Sequence, residues 1–273
     1  MLGGKNSGFT LIEVITVIIV LGVVSVGIGG FIRSGLGIYN DVTERDQLLS
    51  ESRFVVERLS RELRMAVPNS ARLAQDGDGN QCLEFVPADW VTYYTRLPVF
   101  PDALTMVNIV EIAGNTAGFS LALDGSDYAL VYPNSNADVY DLSQNKRRAI
   151  EACIDEGPNT SCASGDDPNN LAKLSVSATF KDSSPASRLY FVRRAVSYCA
   201  VEGKIYRIES PIQTTQTVHT GGVLMAENQA NSLPFQVVLP TLTRNGLVNM
   251  LLTFERNEEI VNFSHEVHIP NVP

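Results

Sequence analysis

From Val14 to Ile32 the chain runs 19 residues without a charge, rich in Val and Ile. A run of that length is enough to cross or enter a bilayer core. Before it stands a short polar leader, Met1 to Gly8, with Lys5 its only charge. A secretory signal would place a charged start, an apolar stretch of about 7–15 residues and a small-x-small cleavage site in that order. Here the residue that bounds the run is an acid, Glu13, near its start. Ser25-Val26-Gly27 is an alternative signal-peptidase site, and a plain single-pass anchor is a second alternative. Neither accounts for Glu13, because an ionised carboxylate in hydrocarbon costs several kcal/mol unless something pairs with it.

Gly8-Phe9-Thr10-Leu11-Ile12-Glu13, followed by the long apolar run, resembles the processing signal of type IV pilins and pseudopilins. The resemblance implies that a prepilin peptidase cuts between Gly8 and Phe9 and that Phe9 becomes N-methylated. It also implies that Glu13, four residues beyond the new amine, pairs with the amine of a neighbouring subunit during assembly. Gly22, Gly27, Gly29 and Gly30 permit close helix approach, although apolar membrane helices carry extra glycine in any case. Glu57-Arg58-Leu59, Glu62-Leu63-Arg64, Pro68-Asn69-Ser70 and Cys82-Leu83-Glu84-Phe85-Val86-Pro87 are further similar to the biogenesis minor pilins of the mannose-sensitive haemagglutinin (MSHA) pilus. The partners so implied are the peptidase, major and minor pilins, the inner-membrane assembly platform, and membrane lipid before assembly. The implied location is the bacterial inner membrane, with the N-terminus cytoplasmic and the head periplasmic, and afterwards a pilus tip.

Past Arg33 the pattern becomes that of an amphipathic helix. Leu48, Val55, Leu59 and Leu63 share one face, and Arg45, Glu57, Arg58, Arg61 and Glu62 fall mostly elsewhere, as a solvated face would. Pro68 ends the helix, since the residue before proline is pushed out of the helical region and the ring lacks a donor. The expected fold is therefore α+β: a leader over 1–8, a membrane or filament-core helix over 9–33, an amphipathic helix over 34–67 and a β-rich head over 68–273. The two helical stretches make one helix of about 55–60 residues. With 21 Lys and Arg against 30 Asp and Glu the formal charge is −9, which argues against binding nucleic acid through a basic surface.

In the head, short alternating apolar runs read as strands. Leu189–Val192 leads through Cys199 to a turn at Val201-Glu202-Gly203-Lys204 and a return strand Ile205–Ile208. Leu247–Phe254, a turn at Arg256-Asn257-Glu258 and Ile260–Ile269 form a second hairpin, with Val261, Phe263, His265, Val267 and Ile269 on one face. Asp76–Asn80 and the stretch 134–170 read as loops by composition. The head is expected to be one unit, with two subsheets possible.

No motif for catalysis emerges: there is no GxSxG elbow, P-loop or dinucleotide fingerprint, so an enzyme is not expected, nor a cofactor. His265-Glu266-Val267-His268 puts its histidines three apart in a predicted strand, where zinc binding needs i, i+4 on a helix. Asp76, Asp78 and Asn80 have the opening spacing of a calcium loop, but Gln81 and Pro87 stand where Gly and Glu are needed, so an Asp-Gly turn is the expectation. The four cysteines allow three pairings, of which Cys153–Cys162 and Cys82–Cys199 join segments of similar exposure. Trp90, Tyr93 and Tyr94 are the best aromatic cluster should the head instead bind a glycan as an adhesin. A minor pseudopilin of type II secretion is the remaining alternative.

Overall fold

The computed structural model describes residues 8–110, 121–122, 124–155, 171–241, 244–257 and 259–270. By its internal contacts the chain forms two compact units, 1–49 and 50–273. A single helix, α1 (Leu11–Arg64), is the only helix of membrane-spanning length and apolarity among the described residues. In the first unit its side chains from Leu11 to Val42 are exposed, large apolar ones included.

In the second unit the last turns of α1 bury Val55, Leu59 and Leu63, each fully, at the four-residue spacing that keeps side chains on one helical face. The helix then tightens, Met65 N–H donating to the Glu62 carbonyl and Ala66 N–H to that of Leu63, both at 3.1 Å. Arg61 and Arg64 sit in the last turn, where cations favour the exposed carbonyls. Val67 N–H then donates to Val86 (2.8 Å), and Pro68, with no donor, follows.

After α1 come β1 (Arg72–Gln75) and β2 (Gln81–Phe85). Six strands follow: β3 (Trp90–Arg96), β4 (Met106–Val110), β5 (Tyr128–Val131), β6 (Arg147–Asp155), β7 (Leu171–Val176) and β8 (Arg188–Val192), with a short helix α2 (Asn136–Tyr140) between β5 and β6. Next are β9 (Ala195–Val201), β10 (Lys204–Ser210) and β11 (Val223–Ala226), and last β12 (Phe235–Val238), β13 (Gly246–Arg256) and β14 (Glu259–Ile269). Strands β3 to β8 close into a barrel in the order β3-β4-β7-β6-β5-β8, filled by side chains such as Trp90, Val107, Leu174, Phe180 and Phe191. The other strands make a five-stranded sheet, β1-β2-β9-β10-β11, and a three-stranded sheet, β12-β13-β14.

The barrel is an insertion. It leaves the five-stranded sheet after β2 and returns at β9, and these two strands are adjacent, with Cys82 directly opposite Cys199. The two cysteines are joined by a disulfide and fully buried. Gln81, also buried, ties the five-stranded sheet to the three-stranded one: its amide donates to the Phe235 carbonyl (3.0 Å) and its oxygen accepts from Phe235 N–H (2.9 Å).

Both expected hairpins are present, β9–β10 and β13–β14, while the strand Leu189–Val192 belongs to the barrel and not to the sheet that holds Cys199. The β-rich region holds three sheets, where the sequence leaves room for two subsheets. The stretch from 134 is also more ordered than its composition suggests. It contains α2, capped by Ser135 and Asp138, a 3-10 turn at Leu142–Gln144 and the nine-residue strand β6. The Asp76–Asn80 turn joins β1 to β2, as expected of that segment.

Candidate functional site: the N-terminal segment

Gly8, Phe9 and Thr10 precede α1, outside regular secondary structure and exposed, and Phe9 is 80% exposed. The helix begins at Leu11, with Glu13 N–H (3.1 Å) and Val14 N–H (3.3 Å) donating to the Thr10 carbonyl. Glu13 therefore lies in the first turn, where its charge meets the positive end of the helix dipole. The Thr16 hydroxyl donates to the Glu13 carbonyl (3.0 Å), and the Glu13 side chain is exposed. Phe9 and Glu13 lie four residues apart in the sequence, Phe9 before the helix and Glu13 within its first turn. A Cβ added at Gly22, Gly27, Gly29 or Gly30 would meet nothing within 4 Å, so no contact inside the described chain requires these glycines. Exposure of Ile18, Leu21, Val23, Val26 and Phe31 far exceeds what single surface apolar residues account for. An exposed apolar surface of that extent marks a membrane or protein interaction site.

The other sequence candidates fall elsewhere. Asp76 is consumed by its own turn: one carboxylate oxygen accepts from Asp78 N–H (3.0 Å) and Asn80 N–H (2.9 Å), the other from the Asn80 amide (2.8 Å). The Asn80 amide leads the groups that hold its pKa below the usual carboxylate value. No group of three or more metal-ligating side chains occurs among the described residues. Asp76, Asp78 and Asn80 instead line one wall of an open polar groove of about 490 Å³, with Glu202, Gln229 and Ser232. Trp90 and Tyr94 point into the barrel, Trp90 stacking on Phe191 at 4.7 Å, while Tyr93 points outward from the same strand. They do not form a common aromatic surface. His265 lies half-buried and His268 exposed on opposite faces of β14. The pairing of Cys153 with Cys162 lies outside the described residues, as Cys162 does.

Two partly buried ionic groupings leave no mark in the sequence. Arg72 Nε donates to Glu84 Oε1 (2.9 Å), its guanidinium lies over the Tyr140 ring (3.4 Å) and it also reaches the Gln213 and Thr214 carbonyls, both at 2.8 Å. Glu84 Oε2 accepts from the Ser197 hydroxyl (3.2 Å). Glu62, expected on a solvated face, is gripped by Arg207 (3.0 Å) and Arg58 (3.1 Å), so the end of α1 is held to β10 by charge as well as by apolar contact. Charged residues spaced along a chain carry no mark of the partner that will bury them.

No curated protein and no solved structure matches the chain. Residues 4–29 match a family model described as the prokaryotic N-terminal methylation motif. That match spans the Gly8–Phe9 step, Glu13 and most of the apolar run, and with the exposed apolar half of α1 it supports a type IV pilin-like protein of the pilus or pseudopilin kind.

Proposed function

We propose that this chain is a minor pilin of an MSHA-type pilus, cut between Gly8 and Phe9 by a prepilin peptidase, methylated on Phe9, and assembled through α1 to prime or cap a filament. The observation that carries the reading is one acid, Glu13, in the first turn of an apolar helix that otherwise stays uncharged to Ile32. Before assembly the helix is held in the inner membrane with the head in the periplasm. During assembly it moves from lipid into a bundle of like helices. The apolar side chains exchange one hydrocarbon environment for another, so burial alone gives little drive. Glu13 does gain: the amine of a neighbouring Phe9 converts an uncompensated carboxylate into an ion pair in a low dielectric. The same pairing sets axial register between subunits. The head of more than 200 residues suits an end of the fibre better than repeated positions along it.

Two substitutions test this separately. Gly8→Ala is expected to leave the leader attached, seen as a larger mass of the membrane-held chain. Glu13→Ala is expected to be processed normally but to be missing from sheared filaments. Unchanged processing in the first together with unchanged piliation in the second would refute the proposal.

A further inference from the structure

Open sheet edges invite pairing with other chains, and proteins commonly blunt them with short strands, bulges, prolines or lysines. Among the described residues, three of the four sheet edges follow that rule. Strands β1, β11 and β12 are four residues each, and the β10–β11 pairing is broken by a register shift. Strand β14 does not. It is eleven residues long, pairs with β13 in unbroken register from Glu259 to Ile269, and contains no lysine and no proline. Among the described residues no strand lies along its other side. Its inner row is left incomplete at that edge, with Val261, Phe263 and His265 only half-buried although Met250, Leu252 and Phe254 opposite them on β13 are fully buried.

We propose that the open edge of β14 pairs antiparallel with β14 of a second copy of this chain, joining two three-stranded sheets into one of six across a two-fold axis. Among the described residues, β14 is the only open edge long enough to match β14. Full overlap places Ser264 opposite itself, Ile260 opposite His268 and Asn262 opposite Glu266 on the outer row. On the inner row it places Val261 opposite Val267 and Phe263 opposite His265. Glu259 meets Ile269. No carboxylate faces another carboxylate, the arrangement that destabilises a cross-strand pair, even though the chain as a whole carries a charge of −9. The added strands supply backbone partners along the edge and cover the half-exposed Val261 and Phe263, as strand addition does elsewhere. Such a contact is isologous, and closes at two copies.

The register makes the test specific. At the axis the two Ser264 Cα atoms stand about 4.5–5.5 Å apart, within reach of a disulfide. The two Ile260 residues lie eight positions out of step, roughly 27 Å apart. Ile260 is exposed, so it reports random collision between chains. Ser264→Cys and Ile260→Cys are placed singly in the full-length chain and mildly oxidised in native membranes, then resolved on a non-reducing gel. Covalent dimer is expected at least tenfold more with Ser264→Cys than with Ile260→Cys. Mixing Ile260→Cys chains with His268→Cys chains is expected to restore the dimer. Equal dimer from both single variants, no dimer from either, or cross-linking of Ser264→Cys to a different protein in place of itself would overturn the proposal. Removal of the leader is a separate readout, so failure here does not touch the reading of the N-terminus.

Discussion

Replacing both Cys82 and Cys199 by alanine opens the covalent loop that contains the whole barrel. The two sulfurs close a sequence separation of 117 residues. Loop-closure entropy for a ring of that size amounts to about 5 kcal/mol at 25 °C in the chain-entropy model. Unfolded chains retain residual structure that lowers the measured value, so the expected loss is about 3–5 kcal/mol. The assay is urea unfolding of the full chain in mild detergent, followed by fluorescence of Trp90, the only tryptophan in the sequence, and by circular dichroism. Trp90 sits in the barrel core against Phe191, so its emission reports the inserted domain. An unfolded state freed of the cross-link also exposes more surface, and the dependence on urea should steepen. Comparison with the native protein, both samples treated with reductant so that the disulfide at Cys153 is open in each, separates the causes. If the loss is entropic, the double variant and the reduced protein unfold at closely similar urea concentrations. A loss below about 1 kcal/mol, or a variant far less stable than the reduced protein, would refute the loop argument and point to side-chain packing at the two buried sites.

Two further outcomes follow from the buried polar groups. Glu84→Leu leaves Arg72 buried without its carboxylate and is expected to cost about 3–5 kcal/mol, whereas Arg72→Met with Glu84→Leu should recover much of that, a double-mutant comparison read by the same unfolding curves. Burial is the leading cause that pushes the phenols of Tyr94, Tyr140, Tyr190 and Tyr198 above their ordinary value. A raised folded-state pKa means that stability is fully present below the unfolded value near 10 and is lost as the pH climbs toward the folded values. Tyrosinate absorbance should therefore rise in two stages, the second coinciding with loss of circular dichroism. Complete ionisation of all nine tyrosines before any unfolding would contradict the burial of these four.

Local signals carried much of this structure. Nineteen uncharged residues and a proline at 68 are enough to bound a long helix, and the observed α1 ends four residues before that proline. Apolar runs on either side of a polar turn make the hairpin over Leu247–Ile269 legible, and its buried positions recur at every second residue. Strand β6 has no such pattern in Arg147-Arg148-Ala149-Ile150-Glu151: only Ile150 is an apolar core residue in that run, and Arg147 is buried with hydrogen bonds to the Ile212 and Tyr140 carbonyls. Barrel closure was equally hidden. It requires β8 to return to β3 and β5 to lie between β6 and β8, pairings across long separations that local periodicity does not encode. The N-terminal site was readable for the opposite reason, since its chemistry lies in six consecutive residues and one helix.

The neck formed by β2 and β9 also determines how the chain bears load. Tension applied between the N-terminal helix and the C-terminal sheet passes from β2 to β9 through the Cys82–Cys199 bond and their paired backbones, and so bypasses the barrel. The 117-residue separation corresponds to roughly 400 Å of extended chain that stays out of reach while the bond is intact. Pulling on the oxidised protein should draw out only the segments outside the neck, and reduction should release the barrel as a separate, later extension.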